Sequence, residues 1–416
     1  MLSFLLQSYP GYLNCELIML ITRRLKFALI GCALLAASPF SSAQIVVPAP
    51  PAIAAKGYVL MDYRSGEILA AENADTRMAP ASLTKMMTAY LIGQEIQAGR
   101  LKFTDEVMIS SNAWSRKFPD SSKMFIKPGD KVTVADLTRG IMIQSGNDAC
   151  VAMAEHVAGS EEAFVSLMNS WAQQIGMADS NFVNAHGLDG EGIATTPLDM
   201  AVLLQRLIAD TPDVYKIYSE KSFSWAGIEQ NNRNRLLWDK SLNVDGGKTG
   251  YTSEAGYSLA ASGVNEDMRL ISVVMGTGSA GARIQETRKL LNFGFRFYTT
   301  KQVAKKGGSL LAARVWMGDR KQIAVTVAED VFATVRRTDG IQLVPEYQLN
   351  PVITAPLRAG EVVGVARWRN GDTVVREVPL IAAQSVAEGS LVDRLLDKVM
   401  MLVDGLVKQL MQAVFG

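Results

Sequence analysis

Ser82 and Lys85 stand three residues apart in Pro80-Ala81-Ser82-Leu83-Thr84-Lys85, directly before the apolar run Met86-Met87-Thr88-Ala89-Tyr90-Leu91-Ile92. A Pro-Ala-Ser lead into good helix formers predicts a helix start with Ser82 in its first turn. Residues three apart share a helical face, so the Lys85 ammonium stands one turn above the Ser82 hydroxyl. A serine becomes a nucleophile when a neighbouring base can take its proton. A lysine becomes that base when desolvation and nearby positive charge lower its pKa. Backbone N–H groups at the helix start can stabilise a developing oxyanion. Taken alone, the pair is more simply a serine cap before a buried helix.

Two later stretches change that balance. Gln144-Ser145-Gly146-Asn147-Asp148 lies between helical patterns at 134–142 and 149–157. It reads as a C-cap glycine followed by an N-cap, or as a turn that projects Ser145 and Asn147 into a cleft. Lys248-Thr249-Gly250 falls on a strand-like run, where an exposed edge lysine is the plain reading. Each motif is weak, but Ser-x-x-Lys, Ser-Gly-Asn and Lys-Thr-Gly in that order resemble the trio Ser-x-x-Lys, Ser-Asp-Asn and Lys-Thr-Gly of serine acyl-transfer enzymes.

The elements that must position these residues are legible around them. Short β-prone runs flank Arg64-Ser65-Gly66 and predict a hairpin. Residues 100–135 read as loops over a surface or cleft rim, with helices expected at 161–176 and 197–210. Strands are expected at 255–262 and 268–276, then a helix at 283–293 that closes the unit. From about 303 to 387 the texture turns β-rich, with Asn370-Gly371 marking a hairpin, and this predicts a small all-β domain. Residues 390–415 place Val392, Leu395, Val399, Val403, Leu406, Leu410 and Val414 at three- and four-residue steps. That is an amphipathic helix, with Asp393, Asp397, Lys398, Asp404 and Lys408 on its other side. Its charges keep it from crossing a bilayer, so it either packs on a protein surface or lies in a membrane interface.

Composition narrows the classes. The chain has 416 residues, 48% of them hydrophobic and 20% charged, which builds a sizeable core. A net charge of +1 gives no electrostatic case for nucleic acid. Residues 19–43 resemble a secretory signal: Arg23, Arg24 and Lys26, then an apolar stretch, then Ser41-Ser42-Ala43. Met19 is therefore the expected start and Gln44 the first mature residue. Cys15 and Cys32 fall in the leader, so Cys150 alone remains, without an intramolecular disulfide. His156 reads as structural and His186 as a shaping residue. Two histidines and one cysteine in the expected mature chain argue against a catalytic zinc site, and no cofactor is expected.

With these motifs in place, the chain resembles the low-molecular-mass penicillin-binding proteins, D-alanyl-D-alanine carboxypeptidases of serine peptidase family S11. The likeness runs through the three motifs, His186-Gly187-Leu188-Asp189, Asn232-Arg233-Asn234, Leu236-Leu237-Trp238-Asp239 and Gly294-Phe295-Arg296-Phe297. It implies an α/β transpeptidase-like (β-lactamase-like) domain with a five-stranded antiparallel sheet and flanking helices. The expected layout is a leader at 1–43, a catalytic domain at 44–300, a β-rich domain at 301–389 and an amphipathic anchor at 390–416.

The resemblance further implies Ser82 as nucleophile, Lys85 as general base and Ser145 as proton relay. Asn147 would hold the substrate amide, Lys248 would set the electrostatics, and Thr249 would meet the terminal carboxylate beside Gly250. Arg283 takes the carboxylate-recognition position and Arg233 a second cleft arginine. The oxyanion hole would use the N–H groups of Ser82 and Tyr251; several relatives carry His where this chain has Tyr251. Implied partners are peptidoglycan stem pentapeptides, β-lactams as covalent inhibitors, and the periplasmic face of the cytoplasmic membrane. A β-lactamase and a non-catalytic β-lactam sensor or wall-binding scaffold remain as alternatives. Against the first, no Glu-x-x-Leu-Asn follows the Ser-Gly-Asn motif at the deacylating position.

Overall fold

The computed structural model describes residues 48–337 and 340–415. The expected leader, with Met19, Cys15, Cys32 and the cleavage site before Gln44, lies outside the described residues. So do the side chains of Leu406, Leu410 and Val414.

Five strands build the central sheet: β1 (Gly57–Asp62), β2 (Ile68–Glu72), β3 (Val244–Thr252), β4 (Gly256–Asn265) and β5 (Met268–Thr277). They are antiparallel throughout, in the order β2-β1-β5-β4-β3. The first hairpin turns where expected, with Gly66 at φ +73°, a conformation glycine adopts without penalty. Every residue of β1 is buried, as an inner strand covered on both faces requires.

One face of the sheet carries α5 (Ala280–Phe297), whose Leu290 and Leu291 meet Leu60, Leu259 and Leu270. Gly294 lets that helix approach, since a Cβ there would lie 2.4 Å from Leu270 Cδ1. The other face carries α1 (Lys85–Gln97), α2 (Asn147–Ala158), α3 (Glu161–Gln174) and α4 (Pro197–Asp210). Met86, Met87, Ile143, Met153 and Leu204 pack there with Val59, Ile271 and Val273 of the sheet. Burying such a side chain contributes about 1.5–3 kcal/mol, so these two cores hold the helices to the sheet. Thr196 and Ser279 cap α4 and α5 by accepting from Asp199 N and Ala282 N.

Three local features depart from expectation. Ser82 lies not in an α-helical turn but in a 3₁₀ turn, Ala81–Thr84, that feeds α1. The helix expected at 134–142 is α-helical over Val134–Arg139 and then widens to a π-type turn, Gly140–Gln144. Short antiparallel pairs join Glu106–Met108 to Lys131–Thr133 and Ser222–Trp225 to Ile228–Asn231, where loops or no element were expected.

Beyond α5 the chain is β-rich. β6 (Tyr298–Ala304) pairs with β9 (Val331–Arg336). A second sheet runs β7 (Leu311–Arg314), β8 (Gln322–Thr326), β12 (Thr373–Ala382), β11 (Val362–Asn370), β10 (Leu343–Leu349). Val315, Val325, Ala366, Trp368 and Leu380 form its core. Asn370 pairs with Thr373 across the expected turn.

The first hairpin is tied into this β-rich part by a buried polar knot. Asp62 accepts from Ser65 Oγ (2.9 Å) and Thr300 Oγ1 (2.6 Å), and Ser65 Oγ lies 2.7 Å from Thr334 Oγ1. Arg376 Nη1 donates to the Ser65 carbonyl at 2.8 Å. Last comes α6 (Leu391–Phe415). Among the described residues no helix is long and apolar enough to cross a membrane.

Candidate active site

Three walls meet at Ser82. The first is the 3₁₀ turn and the head of α1. Ala81 sits at φ +47°, unusual for a residue with a side chain, and its carbonyl presses on Gly187. A Cβ on Gly187 would lie 1.9 Å from Ala81 O, and Gly187 itself has φ +84°. Only glycine fits there. Lys85 is fully buried and uses all three ammonium donors: Ser82 Oγ at 3.0 Å, Asn147 Oδ1 at 2.7 Å and the His186 carbonyl at 2.6 Å. Burial pulls its pKa down to about 8, and the Arg233 guanidinium pushes the same way.

The second wall is the turn before α2. Ser145 closes the π-type turn at φ +63°, and Asn147 opens the helix. Asn147 Nδ2 donates to Ser121 Oγ at 2.8 Å while its backbone N–H donates to Ser122 O at 2.9 Å. The buried Asp148 carboxylate accepts from the N–H groups of Met124 (2.7 Å), Phe125 (2.9 Å) and Ile126 (3.3 Å). This wall is a loop laced to a helix start.

The third wall is β3, the outer strand of the sheet. Lys248 is buried, donates to Thr249 O at 2.9 Å, and is pulled well below the usual lysine range by burial and by Lys85, Arg233 and Arg283. Arg283 reaches across from α5, and its Nη1 donates to Gly250 O at 2.9 Å. Burial, then Arg233, draws it down to about 10. Its guanidinium lies 5.6 Å from the Tyr257 ring, on which the half-exposed Tyr251 stacks at 4.2 Å.

Between the walls lies a cavity of about 640 Å³ lined by Ser82, Ser145, Asn147, Thr249, Tyr251 and Arg283, together with Gly250 and Arg233. Lys85 and Lys248 lie behind that lining. The ten residues given catalytic or substrate-binding roles from the sequence therefore lie in or directly beneath one cavity. Chemically, it offers a hydroxyl beside a lysine that is partly neutral at physiological pH, and two arginines that can hold a carboxylate.

Three contributors carry roles that sequence reasoning did not assign. His186 was expected to shape a loop, but its carbonyl is the third acceptor of Lys85, and a backbone atom leaves no side-chain signature. Its imidazole is pulled down to about 3 by burial, then by Lys85, and accepts from Leu188 N at 3.2 Å. Ser121 and Asp148 act on Asn147 and its loop. His156 is exposed on α2. Among the described residues no three His, Cys, Asp or Glu side chains converge as a metal site requires.

Residues 44–279 match the family model described as D-alanyl-D-alanine carboxypeptidase, and residues 298–388 match that for the C-terminal domain of penicillin-binding protein 5. The chain is 45% identical to D-alanyl-D-alanine carboxypeptidase DacC of Escherichia coli over 372 residues, covering 88% of this chain and 92% of that one. It is 46% identical to DacA of the same organism over 356 residues, covering 85% and 88%. Among solved structures it resembles penicillin binding protein 5 from Haemophilus influenzae at a TM-score of 0.80 and 44% identity, covering 82% of this chain and 100% of that one. It also resembles the ampicillin-bound penicillin-binding protein D2 from Listeria monocytogenes, at a TM-score of 0.54 and 29% identity, covering 60% and 100%.

Proposed function

The chain belongs to the D-alanyl-D-alanine carboxypeptidase family of serine peptidases, S11, and from that membership we propose how its residues divide the work and where it acts. It is an enzyme that removes the terminal D-alanine from peptidoglycan stem peptides and is acylated by β-lactams. The observation that carries the assignment of roles is the Lys85 ammonium, fully buried, lowered to about 8 and 3.0 Å from the Ser82 hydroxyl.

In the proposed sequence, neutral Lys85 takes the Ser82 proton as Oγ attacks the penultimate D-alanyl carbonyl. The N–H groups of Ser82 and Tyr251 hold the oxyanion. The C–N bond breaks, the proton passes through Lys85 and Ser145 to the leaving nitrogen, and D-alanine departs. Water then attacks the acyl-Ser82 ester, restoring the hydroxyl and releasing the shortened peptide. Thr249 and Arg283 take the terminal carboxylate beside Gly250, with Arg233 adding charge. Asn147 holds the substrate amide while sharing Lys85, and Lys248 helps set the electrostatics of the strand wall. A β-lactam presents a similar carbonyl and carboxylate to the same atoms.

We place the enzyme on the periplasmic face of the bacterial cytoplasmic membrane, exported by residues 19–43 and held by residues 390–416. Support comes from the basic-then-apolar leader and from the row of exposed apolar side chains on α6. The layout expected from the sequence, catalytic over 44–300 and β-rich over 301–389, is kept as the proposed division. The decisive assay uses a soluble form spanning residues 44–389, which should release D-alanine from a D-alanyl-D-alanine peptide, whereas Ser82→Ala should not. A folded protein that binds labelled penicillin but releases no D-alanine would be a sensor, and one that rapidly hydrolyses penicillin would be a β-lactamase. For the membrane, fractionation with and without residues 390–416 decides: unchanged partitioning overturns the anchor.

A further inference from the structure

A helix on a globular protein normally turns its apolar side inward, and α6 does the reverse. Val392, Leu395, Leu396, Val399, Leu402 and Val403 are each more than half exposed. The shielded positions are Asp393, Arg394, Asp397 and Met401, and Asp397 is the most deeply buried, at 3% exposed. Advancing roughly 100° per residue, the six apolar side chains fan over the side opposite Asp397. The helix is seated by its polar side.

The seat is built. Asp397 Oδ2 accepts from the Met317 N–H at 2.6 Å and from Lys321 Nζ at 3.0 Å. Met317 holds φ +61°, a left-handed conformation costing about 1 kcal/mol or more in a residue with a side chain, and that conformation presents its N–H to the carboxylate. The same turn grips the root of the helix: Gly389 N donates to Met317 O at 2.8 Å, and a Cβ on Gly389 would lie 2.8 Å from Gly318 O. A carboxylate with two such donors is expensive to strip of one, so the seat fixes the rotation of α6 about its own axis.

From this we infer that Asp397 is an orientation-setting residue: it locks α6 with its apolar side outward, so that the body of the enzyme meets a lipid surface at one angle. The inference rests on the membrane reading proposed above. Residues 390–416 carry three acidic side chains (Asp393, Asp397, Asp404) and three basic ones (Arg394, Lys398, Lys408), so the surface it fits is a neutral lipid interface gripped by apolar area.

The test compares residues 44–416 of the native sequence with Asp397→Ala and Asp397→Asn, in solution and on phosphatidylcholine vesicles. In solution, amide exchange across 391–401 should quicken roughly tenfold or more in Asp397→Ala and less in Asp397→Asn, which keeps an acceptor for Met317 N–H. Vesicle binding should change less than about threefold, because the apolar side chains are intact. D-alanine release from a free pentapeptide should be unaffected, while release from a pentapeptide on a lipid anchor in the same vesicles should slow about threefold or more. Unchanged exchange, or an unchanged rate on the anchored peptide, overturns the inference. Failure of the native protein to bind vesicles overturns the lipid partner and the inference with it. Failure to release D-alanine from the free pentapeptide would instead sink the catalytic assignment.

Discussion

In the proposed mechanism Lys85 is the residue on which the chemistry turns, and its burial makes a signed prediction. The depressed pKa of about 8 leaves roughly a tenth of the lysine neutral at pH 7. If the neutral form is the base, acylation of Ser82 by a fluorescent penicillin should rise about ninefold from pH 6 to 7, about fivefold more to pH 8, and at most about twofold beyond. A rate flat between pH 6 and 8 would remove Lys85 from that role. Arg283 makes the second prediction. Arg283→Gln removes a fixed cation from the carboxylate end, so kcat/KM on a D-alanyl-D-alanine peptide should fall on the order of 30- to 1000-fold. An unchanged value would point to Arg233 as the carboxylate partner. The motif residues were legible because the trio fixes side-chain types in order, whereas Arg233, Tyr251 and Arg283 were reached only through the family resemblance. What stayed hidden was what acts through backbone: the His186 carbonyl on Lys85 and the three N–H groups that Asp148 gathers.

The elements around the site are strained where they carry it. Ala81 and Ser145 both hold left-handed conformations, and Gly187 gives the Ala81 carbonyl its room. Gly187→Ala should therefore displace the serine turn: Tm should drop by several degrees, and penicillin acylation should slow by at least tenfold. Equal Tm and equal acylation would show that the contact can relax. The sequence foretold the strands and long helices, because hydrophobic periodicity reports them directly. It missed the 3₁₀ turn at Ser82 and the π-type turn before Ser145. Both depend on tertiary contacts, such as Gly140 lying so close to Met124 that a Cβ would come within 2.3 Å of its sulfur. Local propensity does not encode such contacts.

For the whole molecule, the Asp62 knot couples the first hairpin to the β-rich part. Removing that carboxylate leaves Ser65 and Thr300 without their shared acceptor, so Asp62→Ala should destabilise the fold by about 2–4 kcal/mol. Calorimetry should then show the β-rich part and the Ser82 part melting as separate transitions. One transition with an unchanged midpoint would mean the knot is dispensable. The two-part organisation was visible in the change from mixed to β-rich texture near 303. The knot was not, because its partners Asp62, Ser65, Thr300, Thr334 and Arg376 are ordinary polar residues scattered over 315 positions.

The outermost place of β3 in its sheet has one more consequence. Thr249, Gly250 and Tyr251 present a strand edge to the cavity, and an edge recognises a guest by its main chain rather than by its side chains. Acyl donors that share a backbone amide and a carboxylate but differ in side chain would then all be accommodated. Inhibition across dissimilar β-lactams would then follow from sheet topology, and discrimination among them would fall to rim residues such as the half-exposed Tyr251.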